Sequence, residues 1–306
     1  MTAMARPRFG LVCIFVEEPV KFRTTTARVL SALPRDEQLR KVSDLCLHNA
    51  RSLLDALKAV NRMGIGAFRV VSQLWPRATH PDVGYKLDDL PDARVIRRAL
   101  RSVNRFRRVN DIRLSFHPDQ FIVLNSPNEQ SVNASIGELE YQAEAARLIG
   151  ADVINMHAGG VHGDKQASLE KFAENFRRLS LAARKRLAIE NDDFAHAPSD
   201  LLPLCDRLRI PLTYDVHHHR CNPDGLSIAK ATRLAAETWR RLGREPYYHL
   251  SSPKYGWQAP NRRSHADFID PKDIPPAWRR LRDCTIDIEA KAKELAVQKL
   301  IQIWPK

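Results

Sequence analysis

Eight short runs rich in β-branched and aromatic residues, each separated from the next by a longer stretch of helical periodicity, constrain this chain more than any other feature of its sequence. The runs are RFGLVCIF (8 to 15), GAFRVVS (66 to 72), IRLSF (112 to 116), DVINMH (152 to 157), RLAIE (186 to 190), IPLTYD (210 to 215), PYYHLS (246 to 251) and CTIDIE (284 to 289). Between the first two, Leu39, Val42, Cys46, Leu53, Leu57 and Val60 recur at three- and four-residue steps or their multiples, which predicts an amphipathic helix. After the fourth run, Leu169, Phe172, Ala173, Phe176 and Leu179 form an apolar stripe with Asp164 as its N-cap. Helical patterns also fill residues 90 to 108, 134 to 148, 198 to 208, 225 to 243 and 290 to 302. With no composition break or Gly/Ser linker, this alternation predicts an α/β fold: one closed (β/α)8 TIM barrel, with residues 1 to 306 as a single catalytic domain and its active site at the C-terminal rim. A doubly wound open sheet is the runner-up, but no G-x-G-x-x-G follows the first run.

Composition narrows the setting. The apolar run after Arg6 and Arg8 ends in Glu17-Glu18 without a small-residue cleavage site, and charges interrupt every candidate membrane span, so a cytoplasmic protein is expected. Five cysteines form an odd set with no C-x-x-C pair, which argues against a disulfide framework or a thiolate zinc site. Lys and Arg outnumber Asp and Glu by 49 to 36, a net charge of +13, which suits an acidic partner such as a phosphate backbone as well as it suits a solvated basic surface. The basic residues concentrate at Arg97, Arg98, Arg101, Arg105, Arg107 and Arg108 on one helix, and at Lys254, Arg262 and Arg263 in one loop.

What ends each run carries the chemistry. Run three leads into His117, run four ends at His157, run five at Glu190 and run six at Asp215; run seven holds His249 and run eight ends at Glu289. In a barrel these ends share one rim. Three carboxylates packed into that mouth would repel one another unless cations lay between them. A His/Asp/Glu set without Cys suits Zn²⁺ or Mn²⁺, and six or more ligands exceed the needs of one tetrahedral ion, so two or three divalent metals are implied. Two such ions can lower the pKa of a shared water and stabilise both oxygens of an in-line displacement.

Six segments carry a resemblance. SFHPDQF (115 to 121, after Arg113-Leu114), NMHAGGVHGDK (155 to 165), LAIENDD (187 to 193), YDVHHHRCNP (214 to 223), YHLSSPK (248 to 254) and IDIEAK (286 to 291) are similar, in this order, to those of the UV damage endonuclease family. The resemblance implies an endonuclease IV-like barrel: a metal-dependent endodeoxyribonuclease that incises the backbone of damaged double-stranded DNA 5′ to a lesion with metal-activated water. It implies no membrane and no obligate protein partner, and a location with the nucleoid when bound to DNA. By position, His117, His157 and Glu190 resemble the ligands of one metal, and Glu190 would bridge to a second held by Asp215, His249 and Glu289. His218 and His265 resemble ligands of a third ion, with Mn²⁺ favoured over Zn²⁺. His80, in ATHP (78 to 81), resembles a histidine beside the scissile phosphate. Gln120 and Phe121 match a probe inserted beside damaged bases, where an aromatic ring replaces lost stacking. Lys254, Arg262 and Arg263 would then contact DNA phosphates. On the residues alone, Phe121 fits a core position nearly as well, and Lys254, Arg262 and Arg263 fit a solvated loop. Gly159-Gly160 fits a tight turn at the rim, and Asn191 with Asp192 fits hydrogen-bonding partners of the ligands as well as it fits ordinary loop hydrogen bonding.

Two positions depart from the family pattern. Tyr247 stands two residues before His249, where a lysine is usual; strand parity aims it inward with His249, and it joins Glu190 and His80 among the candidate catalytic residues. Leu11 stands where a lesion-contacting tyrosine is usual, which leaves the lesion spectrum open. Two rival readings are a sugar isomerase or epimerase on the same kind of metal-binding barrel, and a catalytically silent DNA-binding protein. The charge and the third-site histidines favour the nuclease.

Overall fold

The computed structural model describes residues 6–304; residues 1 to 5 and 305 to 306 of the expected 1 to 306 unit lie outside the described residues. Eight parallel strands close into a barrel in sequence order: β1 (Arg8–Val12), β2 (Ala67–Val70), β3 (Arg113–Phe116), β4 (Val153–His157), β5 (Leu187–Glu190), β6 (Leu212–Asp215), β7 (Tyr247–Leu250) and β8 (Thr285–Ile288). Closure is made by β1 against β8, with Gly10 opposite Asp287 and Leu11 opposite Ile288. The (β/α)8 expectation is met, and each strand falls inside its expected run. The overhangs are physical: β1 stops at Val12 because Cys13 takes φ 66°, which turns the chain out of the sheet three residues before the apolar run ends.

The helices are α1 (Ala27–Ser31), α2 (Arg35–Arg62), α3 (Ala93–Val109), α4 (Glu129–Ile149), α5 (Lys165–Phe176), α6 (Leu181–Arg184), α7 (Pro198–Leu208), α8 (Val216–Cys221), α9 (Ile228–Arg240) and α10 (Lys293–Ile303). Asp164 caps α5 as expected, accepting from the Ala167 N–H. Helix α4 begins five residues before its expected start at 134, because the Asn128 side chain accepts from the Ser131 N–H and caps it there. None of the described helices is long and apolar enough to cross a membrane.

Alternation along the strands separates two environments. Phe9, Leu11, Phe68, Val70, Leu114, Phe116, Ile154, Met156, Leu187, Ile189, Leu212, Tyr214, Tyr248, Leu250, Ile286 and Ile288 join one buried apolar cluster with the helices. The opposite parity lines the lumen, and it is polar: Arg69, Arg113, Ser115, Asn155, Glu190, Thr213, Asp215, His249, Thr285 and Asp287 are all buried. At Gly10 a Cβ would overlap the Asp287 carboxylate, so the missing side chain makes room for that charge. Leu11, of the other parity, is fully buried in the apolar cluster. It is a packing residue between sheet and helices, and a lesion contact at this position is excluded by its burial.

Candidate metal centre

Each ligand candidate reaches the rim for a local reason. His157, Glu190 and Asp215 are the last residues of β4, β5 and β6; His117 and Glu289 lie one residue beyond β3 and β8, and His249 is the third residue of β7. Asp215 doubles as the N-cap of α8, accepting from the His218 N–H at 2.8 Å, so the same carboxylate starts the helical turn that swings His218 back over the barrel. Asn191 fixes this corner: its side chain exchanges hydrogen bonds with the Asp215 backbone at 2.9 and 3.0 Å, and its carbonyl lies 3.0 Å from His218 Nδ1.

Three groups of donor atoms result, each with all atoms within 4.8 Å of one another: His117, His157 and Glu190; Glu190, Asp215 and His218; and Asp215, His249 and Glu289. Glu190 and Asp215 each belong to two groups, so the three are contiguous. The first group is the one expected for a first metal. His218 groups with Glu190 and Asp215; His265 belongs to none of the groups, its Nδ1 lying 3.7 Å from Glu289 Oε2 and its ring 6.5 Å from that of His218.

The electrostatics fit cation binding. Glu190 is 1% exposed, with His249 Nδ1 at 2.9 Å, His117 Nε2 at 3.1 Å and His218 Nδ1 at 3.4 Å, and it also accepts from Asn155 Nδ2. Burial pushes its carboxyl up, but the imidazoles of His249 and His157 and the bonds from His117 and His218 outweigh that and hold it well below the usual carboxylate range. Burial pulls the His218 imidazole down, yet Asp215 and Glu190 carry it well above its ordinary value. His157 goes the other way, lowered chiefly by burial, which keeps it neutral and able to ligate. Asp215 Oδ2 and His157 Nδ1 are buried without a hydrogen-bond partner. Asp215 Oδ2, 3.6 Å from His218 Nδ1 and 3.9 Å from His249 Nδ1, is an orphaned acceptor inside the cluster, which is what a site completed by divalent cations leaves in the bare protein.

Sequence reasoning missed the group that anchors this cluster from below. Arg69, in the middle of β2, donates from Nε to Asp287 Oδ2 at 3.0 Å and from Nη2 to His249 Nε2 at 2.9 Å, and its Nη1 lies 2.7 Å from Glu289 Oε1. An arginine can only donate, so His249 Nε2 accepts and the ring proton sits on Nδ1, which faces the cluster and donates to Glu190 Oε1 at 2.9 Å. The signal was present: a charged residue centred in a run as apolar as GAFRVVS must face a counter-charge.

Tyr247 points into the lumen as parity requires, but a layer beneath the ligands. Its hydroxyl pairs with Ser115 Oγ at 2.9 Å and its ring lies 4.8 Å from the Arg113 guanidinium. Burial first, and then Asp287, push its phenol well above the ordinary value, which disfavours a phenolate.

The remaining candidates occupy the rim loops. Gln120 and Phe121 are exposed, Phe121 by 75%, so the core placement of that ring is not adopted. His80 shares with Phe121, Asp119, Trp75 and Tyr141 a cavity of about 250 Å³, outside the three ligand groups. Lys254, Arg262 and Arg263 are exposed on the loop after β7, which is tied to α8 by a hydrogen bond between His217 Nε2 and the Arg262 carbonyl. Gly159 has φ 91° and a Cβ there would overlap the Asn125 amide, which accounts for glycine at this turn. The Asp192 carboxylate accepts from the backbone N–H groups of Phe194, Ala195 and His196, so it builds the loop, and its charge also reaches the His157 imidazole.

A family model described as UV-endonuclease UvdE matches residues 7–305. A UV DNA damage endonuclease of Bacillus velezensis is 33% identical over 307 residues, covering 96% of this chain and 93% of its own. The crystal structure of SacUVDE superposes with a TM-score of 0.84 at 30% identity, over 97% of this chain and 98% of that one. Endonuclease IV from Thermus thermophilus matches with a TM-score of 0.61 at 16% identity, over 97% and 98% of the two chains, a likeness of fold.

Proposed function

The chain belongs to the UV-endonuclease UvdE family, and from that premise we propose that it is a metal-dependent DNA repair endonuclease that incises damaged double-stranded DNA on the 5′ side of a lesion. The observation that carries this reading is the contiguity of the three ligand groups through Glu190 and Asp215 at the C-terminal rim. The sugar isomerase alternative gives way to the family membership. The silent-binder alternative is disfavoured because a full set of ligand side chains stands at the rim.

The proposed assignment gives a first divalent ion to His117, His157 and Glu190 and a second to Glu190, Asp215, His249 and Glu289; a third would be served by His218 with His265. Mn²⁺ is the preferred ion and Zn²⁺ the alternative, since the set mixes imidazole and carboxylate. When bound, such ions supply a water of lowered pKa and neutralise charge on the phosphate oxygens. The protein's own part is positional. Glu190, held ionised by its imidazole neighbours, would serve two ions with its two oxygens. Arg69 fixes the His249 ring and the Glu289 carboxylate. Tyr247 is assigned the role of a buried spacer bonded to Ser115, and His80 that of a phosphate neighbour. Phe121 with Gln120 would enter the base stack, while Lys254, Arg262 and Arg263 hold the backbone. The whole barrel is taken as one catalytic domain, working without an obligate protein partner in the cytoplasm, at the nucleoid.

The test is incubation of purified protein with UV-irradiated and untreated supercoiled plasmid, after chelation and again with Mn²⁺ restored. Metal-dependent nicking confined largely to irradiated DNA is expected. No nicking in any condition would overturn the proposal.

A further inference from the structure

One rim feature remains without a role: Phe194, on the loop between β5 and α7, leaves its ring 75% exposed, as exposed as Phe121. Its backbone is not loose. The Asp192 carboxylate accepts from the N–H groups of residues 194, 195 and 196, and the Asp192 N–H bonds the His196 carbonyl at 3.0 Å, closing a compact turn that aims the ring outward. The Arg263 guanidinium lies 5.2 Å from the Phe194 ring centroid, and its Nε forms an ion pair with Asp193 Oδ2 at 3.3 Å. Arg263 belongs to the loop after β7, whose Arg262 carbonyl is tied to His217 and whose Pro253 bridges to His265. The Phe194–Arg263 pair therefore joins the loops after β5 and β7 across α8, the turn that carries His218. Phe194 is four residues from Glu190, at most about 14 Å of extended chain.

We propose that Phe194, braced by Arg263, is a second DNA contact at the ligand rim, separate from Phe121: its ring packs against a nucleobase of the bound duplex while Arg263 takes the neighbouring phosphate. Three observations select DNA as the occupant. The pair sits on the same rim as the ligand groups; the cations beside it, Arg262, Arg263 and Lys254, are exposed and complement a polyanion; and exposed Tyr255 repeats the arrangement, with Lys254 Nζ 5.2 Å from its ring. Asp193 is an acid in ion-pair contact with Arg263 and competes with phosphate for its charge. An aromatic held rigid in water beside a cation presents a stacking face at low ordering cost, the combination that single-strand and flipped-base sites use. The inference rests on the endonuclease reading and extends it from one wedge to two.

The experiment measures binding of a fluorescein-labelled duplex of about 30 base pairs carrying one cyclobutane pyrimidine dimer, by anisotropy in chelator, so that cleavage cannot intervene. Phe194→Ala should raise Kd about tenfold, from the loss of one base–aromatic contact, while leaving the slope of log Kd against log salt unchanged. Phe194→Trp should restore binding to within about twofold of the parent, and Arg263→Ala should lower the salt slope by about one. Thermal melting of Phe194→Ala should match the parent, because the ring is exposed. A Kd for Phe194→Ala within twofold of the parent overturns the inference and leaves the endonuclease reading intact. Failure of the parent protein both to bind this duplex and to nick irradiated plasmid would overturn both.

Discussion

Replacing Arg69 by Met tests whether the lumen ion pair holds the ligand cluster together. Asp287 is fully buried; its Oδ1 has no hydrogen-bond partner, and its Oδ2 is reached by Arg69 Nε at 3.0 Å. Met fills much of the arginine stem's volume but removes the charge, leaving Asp287 as an uncompensated buried carboxylate beneath Glu289, Glu190 and Asp215. Removing one partner of a buried pair costs about 3–5 kcal/mol, far more than the net worth of the pair, because the surviving charge keeps its desolvation penalty. Urea unfolding in chelator, followed by far-ultraviolet circular dichroism, should show that loss as a lower midpoint at constant m-value. The second substitution identifies the cause: Arg69→Met with Asp287→Asn should recover most of the deficit, since the orphaned charge is gone. A single variant within about 1 kcal/mol of the parent, or a double variant no better than the single, would refute the reasoning.

Glu190→Gln should abolish nicking by several orders of magnitude and reduce bound metal, while the chain still folds, because the amide keeps the volume but not the charge; elemental analysis beside the nicking assay checks both, and near-parental values would remove Glu190 from the bridging role. Tyr247→Phe should keep the full metal complement and most of the nicking rate, and lower stability by only about 0.5–1.5 kcal/mol for the bond to Ser115; loss of one metal equivalent would contradict the spacer role. Asp224 has its carboxyl lowered below the ordinary 3.8: burial pushes it up, but the backbone N–H groups of Leu226 and Ser199 and the His219 side chain, 2.9 Å away, pull it further down. Its contribution is therefore complete above the unfolded-state value and is lost as pH falls through the lower folded-state value, so Asp224→Asn should flatten the acid limb of melting temperature against pH below about 4. An unchanged acid limb in that variant would count against the assignment.

The fold was legible because the alternation of β-rich runs with helical stripes is a property of single residues and their spacing. The proposed ligand set was legible for the same reason: His117, His157, Glu190, Asp215 and Glu289 stand at or just beyond strand ends, with His249 one residue inside its own, and a barrel gathers such ends on one rim. Pairings across the lumen were not. Parity aims Arg69 inward but does not say that Asp287, 218 positions later, lies opposite; that follows from Gly10 and Ala67 leaving space at the β1 register. The rim loops have no period, so an exposed Phe194 reads in sequence like any core phenylalanine. His218 groups with Glu190 and Asp215, beyond its expected pairing with His265, because Asp215 caps α8, a role that becomes visible only once the turn is built.

The polar lumen also explains why a neutral side chain suits position 247. A lysine there would lie next to two buried guanidiniums, Arg69 and Arg113. Arg113 is already held by Asp152 at 2.9 Å and by the Thr285 hydroxyl, and Arg69 already neutralises Asp287 and part of Glu289. A neutral phenol adds no charge to that layer. Its face accepts the Arg113 guanidinium at 4.8 Å, and its hydroxyl satisfies Ser115. Positive charge beneath the ligand cluster is supplied from β2, the neighbour of β1, on the side of Glu289. In this chain the electrostatic support of the site comes from Arg69 on β2, while the side chains aimed at the rim keep the positions that the strand ends dictate.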